Sequence, residues 1–215
     1  MSTSRDAYEL ELDGGIVVRG IRIDGGTAAR LVLLHDIGHD LDEFGRLPEA
    51  LAALGCDVLA VDLPGHGVSD DPPDPAAVPA LAVQVLREVR DDVPLGLVAS
   101  GRTATVGVMV GRPQGVESQV LINPVLDENW LAGGRREHAI RLVMHAERSH
   151  LVGTETQRFI GRLIGEKMLL HHPGIELGPA SIAQDSTPLT HLSLFVQRYL
   201  IAQLRGGFPH VAGRR

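Results

Sequence analysis

The sequence predicts an α/β fold, with a mostly parallel sheet, helices on both faces and a helical C-terminal region. Three observations lead to this prediction. Short apolar runs alternate with helical patterns over residues 29–126, two alternating segments precede them, and the alternation stops after Asp127. Unbroken apolar runs are typical of strands that are buried on both faces of a parallel sheet. Because the alternation stops, we expect the late strands to be truncated.

An antiparallel hairpin is expected at the N-terminus. Residues 7–12 and 16–23 alternate apolar and polar side chains, and Asp13-Gly14-Gly15 separates them. An Asp-Gly-Gly sequence between two such segments is a hairpin signal. These strands should therefore lie at one edge of the sheet.

Interior strands and helices follow in alternation. The predicted strands are residues 29–36, 56–67 (a strand with its exit loop), 94–100 and 118–126. The predicted helices between them are residues 41–55, 77–92 and 102–111. Strands and helices that alternate with short loops place the helices on both faces of the sheet.

The chain is expected to be one domain with three parts. Residues 1–125 form the core, residues 126–190 form a helical lid or appendage, and residues 191–215 form a closing helix and a frayed tail. Helical patterns at 126–150 and 154–172 leave open whether these helices cover a pocket or replace missing strands. The stretch 172–190 is expected to be a loop.

Composition excludes several classes of function. A net charge of −7 disfavours nucleic acid as a partner. The longest apolar runs are too short to span a bilayer, and the polar, acidic N-terminus resembles no signal or transit peptide. The single cysteine, Cys56, lies in an apolar stretch and is expected to be buried. We therefore expect a cytoplasmic protein without membrane contacts.

The motif Asp-Leu-Pro-Gly-His-Gly-Val-Ser at residues 62–69 is the sharpest in the chain. With the strand and His-containing loop at 29–36 and the helix at 41–55, it resembles the N-terminal half of the α/β-hydrolases, over roughly residues 8–125. The resemblance implies a sheet of the α/β-hydrolase type and an esterase or related activity. In such enzymes a serine at a G-x-S-x-G turn attacks the substrate. Ser69 is not that serine, and we expect it to hydrogen-bond loop backbone.

Two departures from this resemblance argue against serine catalysis. The turn after the strand at 94–100 places Gly101, which has no side chain, where the nucleophile belongs. Choosing Ser100 instead would put Val98 and Arg102 where the turn needs small residues. After the preceding strand, Asp36 stands where the family has glycine, and its carboxylate would oppose the negative charge of an oxyanion.

A base and an acid are equally hard to find. Asp127 is the plausible acid, with Asp185 behind it, and His191 before the closing helix is the plausible base. If the chain is active, Ser100, Asp127 and His191 are the candidate catalytic residues. The residues expected to line the pocket are His35, Asp36, Ile37, Gly101, Arg102 and Trp130.

Clusters of histidine and acid suggest metal binding only weakly. His35-Asp36 and His39-Asp40 carry ligand types that suit zinc or iron, but they run from a strand through a loop into a helix, and nothing points them at one atom. His138 and His145 are seven residues apart, which would place both on one face of a helix. We expect no metal and no cofactor.

Three classes of function remain. In the first, the chain is a hydrolase relative without catalysis that binds a small apolar ligand, an acyl compound or a partner. In the second, it is an esterase, thioesterase or lyase with an unconventional site. In the third, it is a structural subunit that forms a homodimer. Gly101 and Asp36 favour the first class. An incomplete sheet would favour the third, because its uncovered edge needs a partner.

Overall fold

The computed structural model describes residues 4–131, 136–146, 150–172 and 178–202. One eight-stranded sheet lies at the centre of this part of the chain, in the order β1-β2-β4-β3-β5-β6-β7-β8. The strands are β1 (Ser4–Glu11), β2 (Val17–Asp24), β3 (Ala29–Leu34), β4 (Cys56–Val61), β5 (Leu95–Ser100), β6 (Val116–Ile122), β7 (Ile140–Ala146) and β8 (Lys167–His172). β2 pairs antiparallel with β1 and β4, and all other neighbours are parallel. The predicted α/β fold and its N-terminal hairpin are confirmed.

Short helices connect the strands. They are α1 (Leu47–Ala52), α2 (Val78–Glu88), α3 (Val106–Met109), α4 (Glu128–Leu131), α5 (His150–Ile160), α6 (Pro179–Ile182) and α7 (Ser186–Tyr199). Single 3₁₀ turns cover Leu41–Phe44, Pro75–Ala77, Gly101–Thr105 and Arg112–Gln114. Across the described ranges, no helix is long and apolar enough to cross a membrane.

The middle of the sheet is covered on both faces. Every residue of β4 and β5 is buried. Leu97 and Ala99 enter a core layer with Val85 of α2, whereas Val98 enters the opposite layer with Leu51 of α1. Because β3 to β8 are parallel, the loops that follow them meet along one edge of the sheet, where ligands bind in folds of this kind.

The loop at residues 62–69 is a rigid support. The Asp62 carboxylate accepts hydrogen bonds from two backbone N–H groups, at 2.7 and 2.9 Å. Gly67 has a φ of +50°, and a Cβ there would overlap that carboxylate. Ser69 donates to the Asp62 carbonyl (2.7 Å) and accepts from the Arg19 N–H (2.8 Å). The structural role predicted for Ser69 is confirmed.

The helix predicted over residues 126–150 is wrong for residues 140–146, which form β7 beside β6. Arg141, Val143 and His145 share one face of this strand, because alternate side chains of a strand point the same way. Arg141 and His145 are four residues apart, which suits a helix face as well as a strand face. The spacing of these two residues therefore could not decide between a helix and a strand.

The truncation of the sheet is likewise wrong. Lys167–His172, also predicted to be helical, forms the edge strand β8, which completes the sheet. Part of the expected loop at 172–190 is helical, because Asp185 accepts a hydrogen bond from the Thr187 N–H (2.9 Å) and caps α7 before His191. The tail after Ala202 lies outside the described residues.

Arg141 is fully buried at the start of β7. Its guanidinium donates to Gln119 Oε1 (2.9 Å) and to the backbone carbonyl oxygens of Gly107, Glu137, Ala139 and Ile164. Burial lowers the pKa of Arg141 to about 10, so the side chain stays charged at neutral pH. One side chain thus joins α3, β6, β7 and the segment before β8.

We predict that Arg141→Met lowers the free energy of unfolding by about 3–5 kcal/mol, because several buried acceptors would lose their donor. Urea denaturation would measure the change. The exposed Arg87 provides the matched control, and Arg87→Met should change stability by no more than about 0.5 kcal/mol. Equal effects of the two substitutions would contradict the role of Arg141.

Candidate functional site

The end of β5 turns sharply into a helix. Ser100 is the last residue of the strand, and Gly101 begins the 3₁₀ turn that leads into α3. Gly101 has a φ of +51°, a backbone conformation that glycine adopts without strain. A strained strand-to-helix turn of this kind carries the nucleophile in α/β-hydrolases. The turn predicted from the sequence is present.

The carboxylate of Asp36 lies directly against this turn. Its Oδ1 accepts hydrogen bonds from the backbone N–H of Arg102 (2.6 Å) and of Ile37 (2.8 Å). A Cβ built on Gly101 would overlap the carboxylate. Asp36 therefore fills the space that any side chain at position 101 would need.

Two backbone N–H groups that point at one oxygen form an oxyanion hole. In α/β-hydrolases the donors are the N–H that follows the nucleophile and an N–H from the loop after the third strand. Arg102, which follows Gly101, and Ile37, in the loop after β3, are the candidates for these two places. The sequence led us to expect that Asp36 would repel an oxyanion, and in the structure its Oδ1 accepts from both N–H groups.

Glu43 holds the other side of Asp36. Its Oε2 accepts hydrogen bonds from the Asp36 N–H and from the Ser100 hydroxyl, both at 2.8 Å. Ser100 is 2% exposed, so its hydroxyl is buried and already donates to a carboxylate. The sequence analysis gave Glu43 no place in this site. Its position three residues after the capping residue Asp40 was the available signal, but that pattern predicts a local capping contact instead.

His35 holds the peptide group that joins Asp36 to Ile37. Its Nε2 accepts from the Leu63 N–H (2.9 Å), and therefore Nδ1 carries the proton and donates to the Asp36 carbonyl (2.7 Å). Burial lowers the pKa of His35, which favours this neutral form. The ring packs against His66, with 5.2 Å between centroids. His35 thus positions Asp36 from within the core.

Asp127 and Arg102 face each other beside the turn. Asp127 Oδ2 lies 3.8 Å from Arg102 Nε, and Oδ1 caps α4 by accepting from the Asn129 and Trp130 N–H groups. Thr105 donates to a carbonyl of the same loop and accepts from the Asp127 N–H. Trp130 is half-buried against the core. Asp127 therefore organises the loop after β6.

The three candidate catalytic residues have different partners. His191 is exposed on α7, with Nδ1 2.8 Å from the Thr187 carbonyl oxygen one turn earlier. Ser100 binds Glu43, and Asp127 lies by Arg102. Within the ranges that the structure describes, no hydrogen bond joins Ser100, Asp127 and His191.

Histidines lie near the ends of β7 and β8, the two late strands that were predicted to be helical. His145 near the end of β7 pairs in register with His171 on β8, and their rings meet edge-on with centroids 4.1 Å apart. His172, the last residue of β8, has Nε2 3.1 Å from Asp185 Oδ2. The Thr187 N–H and His172 together lower the pKa of the Asp185 carboxyl. Once β8 was assigned to a helix, these histidines could not be placed at the sheet edge.

The fold and these motifs define an α/β-hydrolase. A model of the alpha/beta hydrolase family matches residues 31–210. The chain therefore belongs to the α/β-hydrolase family. A comparison with curated proteins gave no match.

Solved structures of similar fold include several hydrolases. An esterase from Pyrococcus furiosus is 17% identical with a TM-score of 0.71, over 92% of this chain and 91% of its own. Dienelactone hydrolase from Anabaena variabilis is 16% identical with a TM-score of 0.69, over 92% of this chain and 99% of its own. A thioesterase domain from the curacin biosynthetic pathway is 15% identical with a TM-score of 0.66, over 90% and 99%. Identities this low establish the shared fold alone.

We predict that Gly101→Ala lowers the free energy of unfolding by about 2–4 kcal/mol, because the methyl group meets Asp36 and the positive φ adds strain. In an Asp36→Gly background the overlap is removed, and the same substitution should cost only about 1 kcal/mol. Denaturation of the four proteins of this double-mutant cycle gives the coupling energy. Additive effects would show that Asp36 does not occupy this space.

We also predict that stability falls as the pH drops below about 6.5, the ordinary pKa of histidine. Because burial lowers the pKa of His35 in the folded state, the unfolded chain binds more protons in this range. His35→Gln keeps an acceptor and a donor but does not titrate, so its unfolding free energy should depend less on pH between about 6.5 and 5. An unchanged pH dependence would contradict the neutral, buried His35.

Proposed function

We propose that this protein does not hydrolyse esters through a serine nucleophile and instead binds a small apolar ligand. The observation that carries the proposal is the Asp36 carboxylate, which takes up both N–H groups of the oxyanion hole and the space beside Gly101. A serine hydrolase needs a nucleophile, a base with its acid, and a vacant hole.

Gly101 stands at the position of the nucleophile and carries no reactive group. The neighbouring Ser100 is no substitute, because its hydroxyl is buried and donates to Glu43 rather than to a histidine. The Glu43 carboxylate can accept the proton of that hydroxyl, but a nucleophile must also reach the substrate carbonyl, and Ser100 is 2% exposed. Acyl transfer at this turn therefore has no serine nucleophile.

Electrostatics oppose the same reaction. An oxyanion that formed beside Gly101 would lie near the carboxylates of Asp36 and Glu43. Two unit charges of the same sign about 4 Å apart repel by about 4 kcal/mol at an effective dielectric constant of about 20. That penalty corresponds to a rate reduction of about a thousandfold.

A working hydrolase with an unconventional site is the second candidate. The hydrogen bond between His172, the last residue of β8, and Asp185 favours it, because a histidine paired with a carboxylate is the pattern of a general base and its acid. Such an enzyme would need a nucleophile or an activated water beside His172. Its activity would then depend on His172 and not on Gly101.

Turnover of short-chain and long-chain p-nitrophenyl esters and acyl thioesters tests the proposal. We predict no turnover by the wild-type chain. Gly101→Ser alone should also be inactive, because Asp36 blocks the new hydroxyl and still fills the hole. The double variant Asp36→Gly/Gly101→Ser frees both, and the vacant hole should give it a low ester turnover above that of Gly101→Ser.

The double variant Asp36→Asn/Gly101→Ser is the matched control. Its amide keeps the size of the blocking side chain without the charge, so steric and electrostatic effects separate. Wild-type turnover that persists through repeated purification and disappears in His172→Ala would overturn the proposal in favour of the second candidate.

A further inference from the structure

A cavity lies at the β8 edge of the sheet, between α5 and the last two strands. It has a volume of about 430 Å³ and is lined by His145, Ala146, Thr156, Gln157, Ile160, Leu169 and His171. The strand register explains which side chains form the floor of the cavity. Val143 pairs with Leu169 and His145 with His171, so these side chains share the face of the sheet that α5 covers.

One polar group in this cavity has no partner within the described part of the chain. The Thr156 hydroxyl is buried, with the residue 2% exposed, and makes no hydrogen bond. A buried hydroxyl without a partner costs about 1–3 kcal/mol. Native structures rarely accept this cost except where a ligand or an ordered water completes the bond. The hydroxyl therefore points to an occupant of the cavity.

The lining indicates the chemistry of that occupant. Imidazole rings, a hydroxyl and the Gln157 amide can all donate hydrogen bonds. A head group with several acceptor oxygens fits such a set, and hydrogen bonds to a charged acceptor are the stronger ones. A carboxylate supplies such acceptors.

The apolar part of the lining fits a hydrocarbon body. Ala146 and Ile160 bound the cavity, and Leu169 is 46% exposed although it lies in the middle of β8. Covering an exposed leucine with hydrocarbon is favourable by about 25 cal/mol per Å². A cavity of this size is within the usual range for small-molecule sites.

We propose that this cavity binds a monocarboxylic acid with a medium-length apolar chain, its carboxylate toward His145, Thr156 and His171 and its chain along Leu169. The inference rests on the proposed function, because it names the class of ligand and moves its site away from Gly101. The carboxylate accepts the hydrogen bond that Thr156 otherwise lacks, and the chain covers the exposed leucine.

Calorimetric titration of the full chain with sodium octanoate tests this inference. We expect saturable binding of one molecule per chain, and binding of 1-octanol and octylamine weaker by about tenfold or more, since the charge-assisted hydrogen bonds are lost. Backbone amide NMR should show the largest shifts in β7, β8 and α5. Shifts centred on Gly101 and Arg102, or equal affinities for acid and alcohol, would overturn the inference.

Two pairs of proteins separate recognition from folding. Leu169→Ala should weaken octanoate binding by about threefold to tenfold, whereas Met168→Ala, on the opposite face of β8, should leave it unchanged. Thr156→Val is expected to weaken binding to a similar extent without lowering the melting temperature below that of the wild type, because a methyl group replaces an unpaired hydroxyl.

The outcome of the octanoate titration is independent of the outcome of the hydrolase assays. Absence of saturable octanoate binding at millimolar concentration overturns the carboxylic-acid site, while the lack of serine turnover would still stand. Conversely, ester turnover by the wild type with octanoate bound at β7 and β8 would leave this site in place and remove the proposed function.

Discussion

The hydrogen bonds from the Ile37 and Arg102 N–H groups to Asp36 are the interaction on which the rest of the site depends. The bond from Arg102 joins the loop after β3 to the turn after β5, two segments that are far apart in sequence, and the bond from Ile37 orients the carboxylate within its own loop. Only glycine at position 101 leaves room for the carboxylate. Glycine at position 101 and the placement of Asp36 are therefore one structural feature, because a side chain at 101 would displace the carboxylate.

A carboxylate in this position needs support of its own. Glu43 lies close by and would repel Asp36, but the Asp36 N–H and the Ser100 hydroxyl both donate to Glu43 and offset the repulsion. Behind them, the neutral ring of His35 binds the Asp36 carbonyl and the Leu63 N–H. Asp36, Glu43, Ser100 and His35 thus satisfy one another, and they hold the turn without a bound substrate.

Much of this arrangement could be predicted from residues 29–126, where buried strands have continuous apolar runs and the turns carry glycine and proline. The turn at Gly101 and the structural role of Ser69 followed from those signals. The late strands did not, because the spacing of Arg141 and His145 suits a helix as well as a strand. The contact between Asp36 and Gly101 was also beyond reach, since it depends on how two adjacent parallel strands bring their loops together.

The loops after the parallel strands differ in which hydrogen-bonding groups already have a partner within the chain. At the centre of the sheet, after β3 and β5, the Ile37 and Arg102 N–H groups bind the chain's own carboxylate, so a ligand there would have to displace an internal group that is always present at high effective concentration. Beside β7 and β8, the Thr156 hydroxyl is unpaired within the described part of the chain, and the His171 imidazole borders the same space. The proposed ligand would therefore meet less competition for hydrogen bonds beside β7 and β8 than at the two N–H groups that bind Asp36.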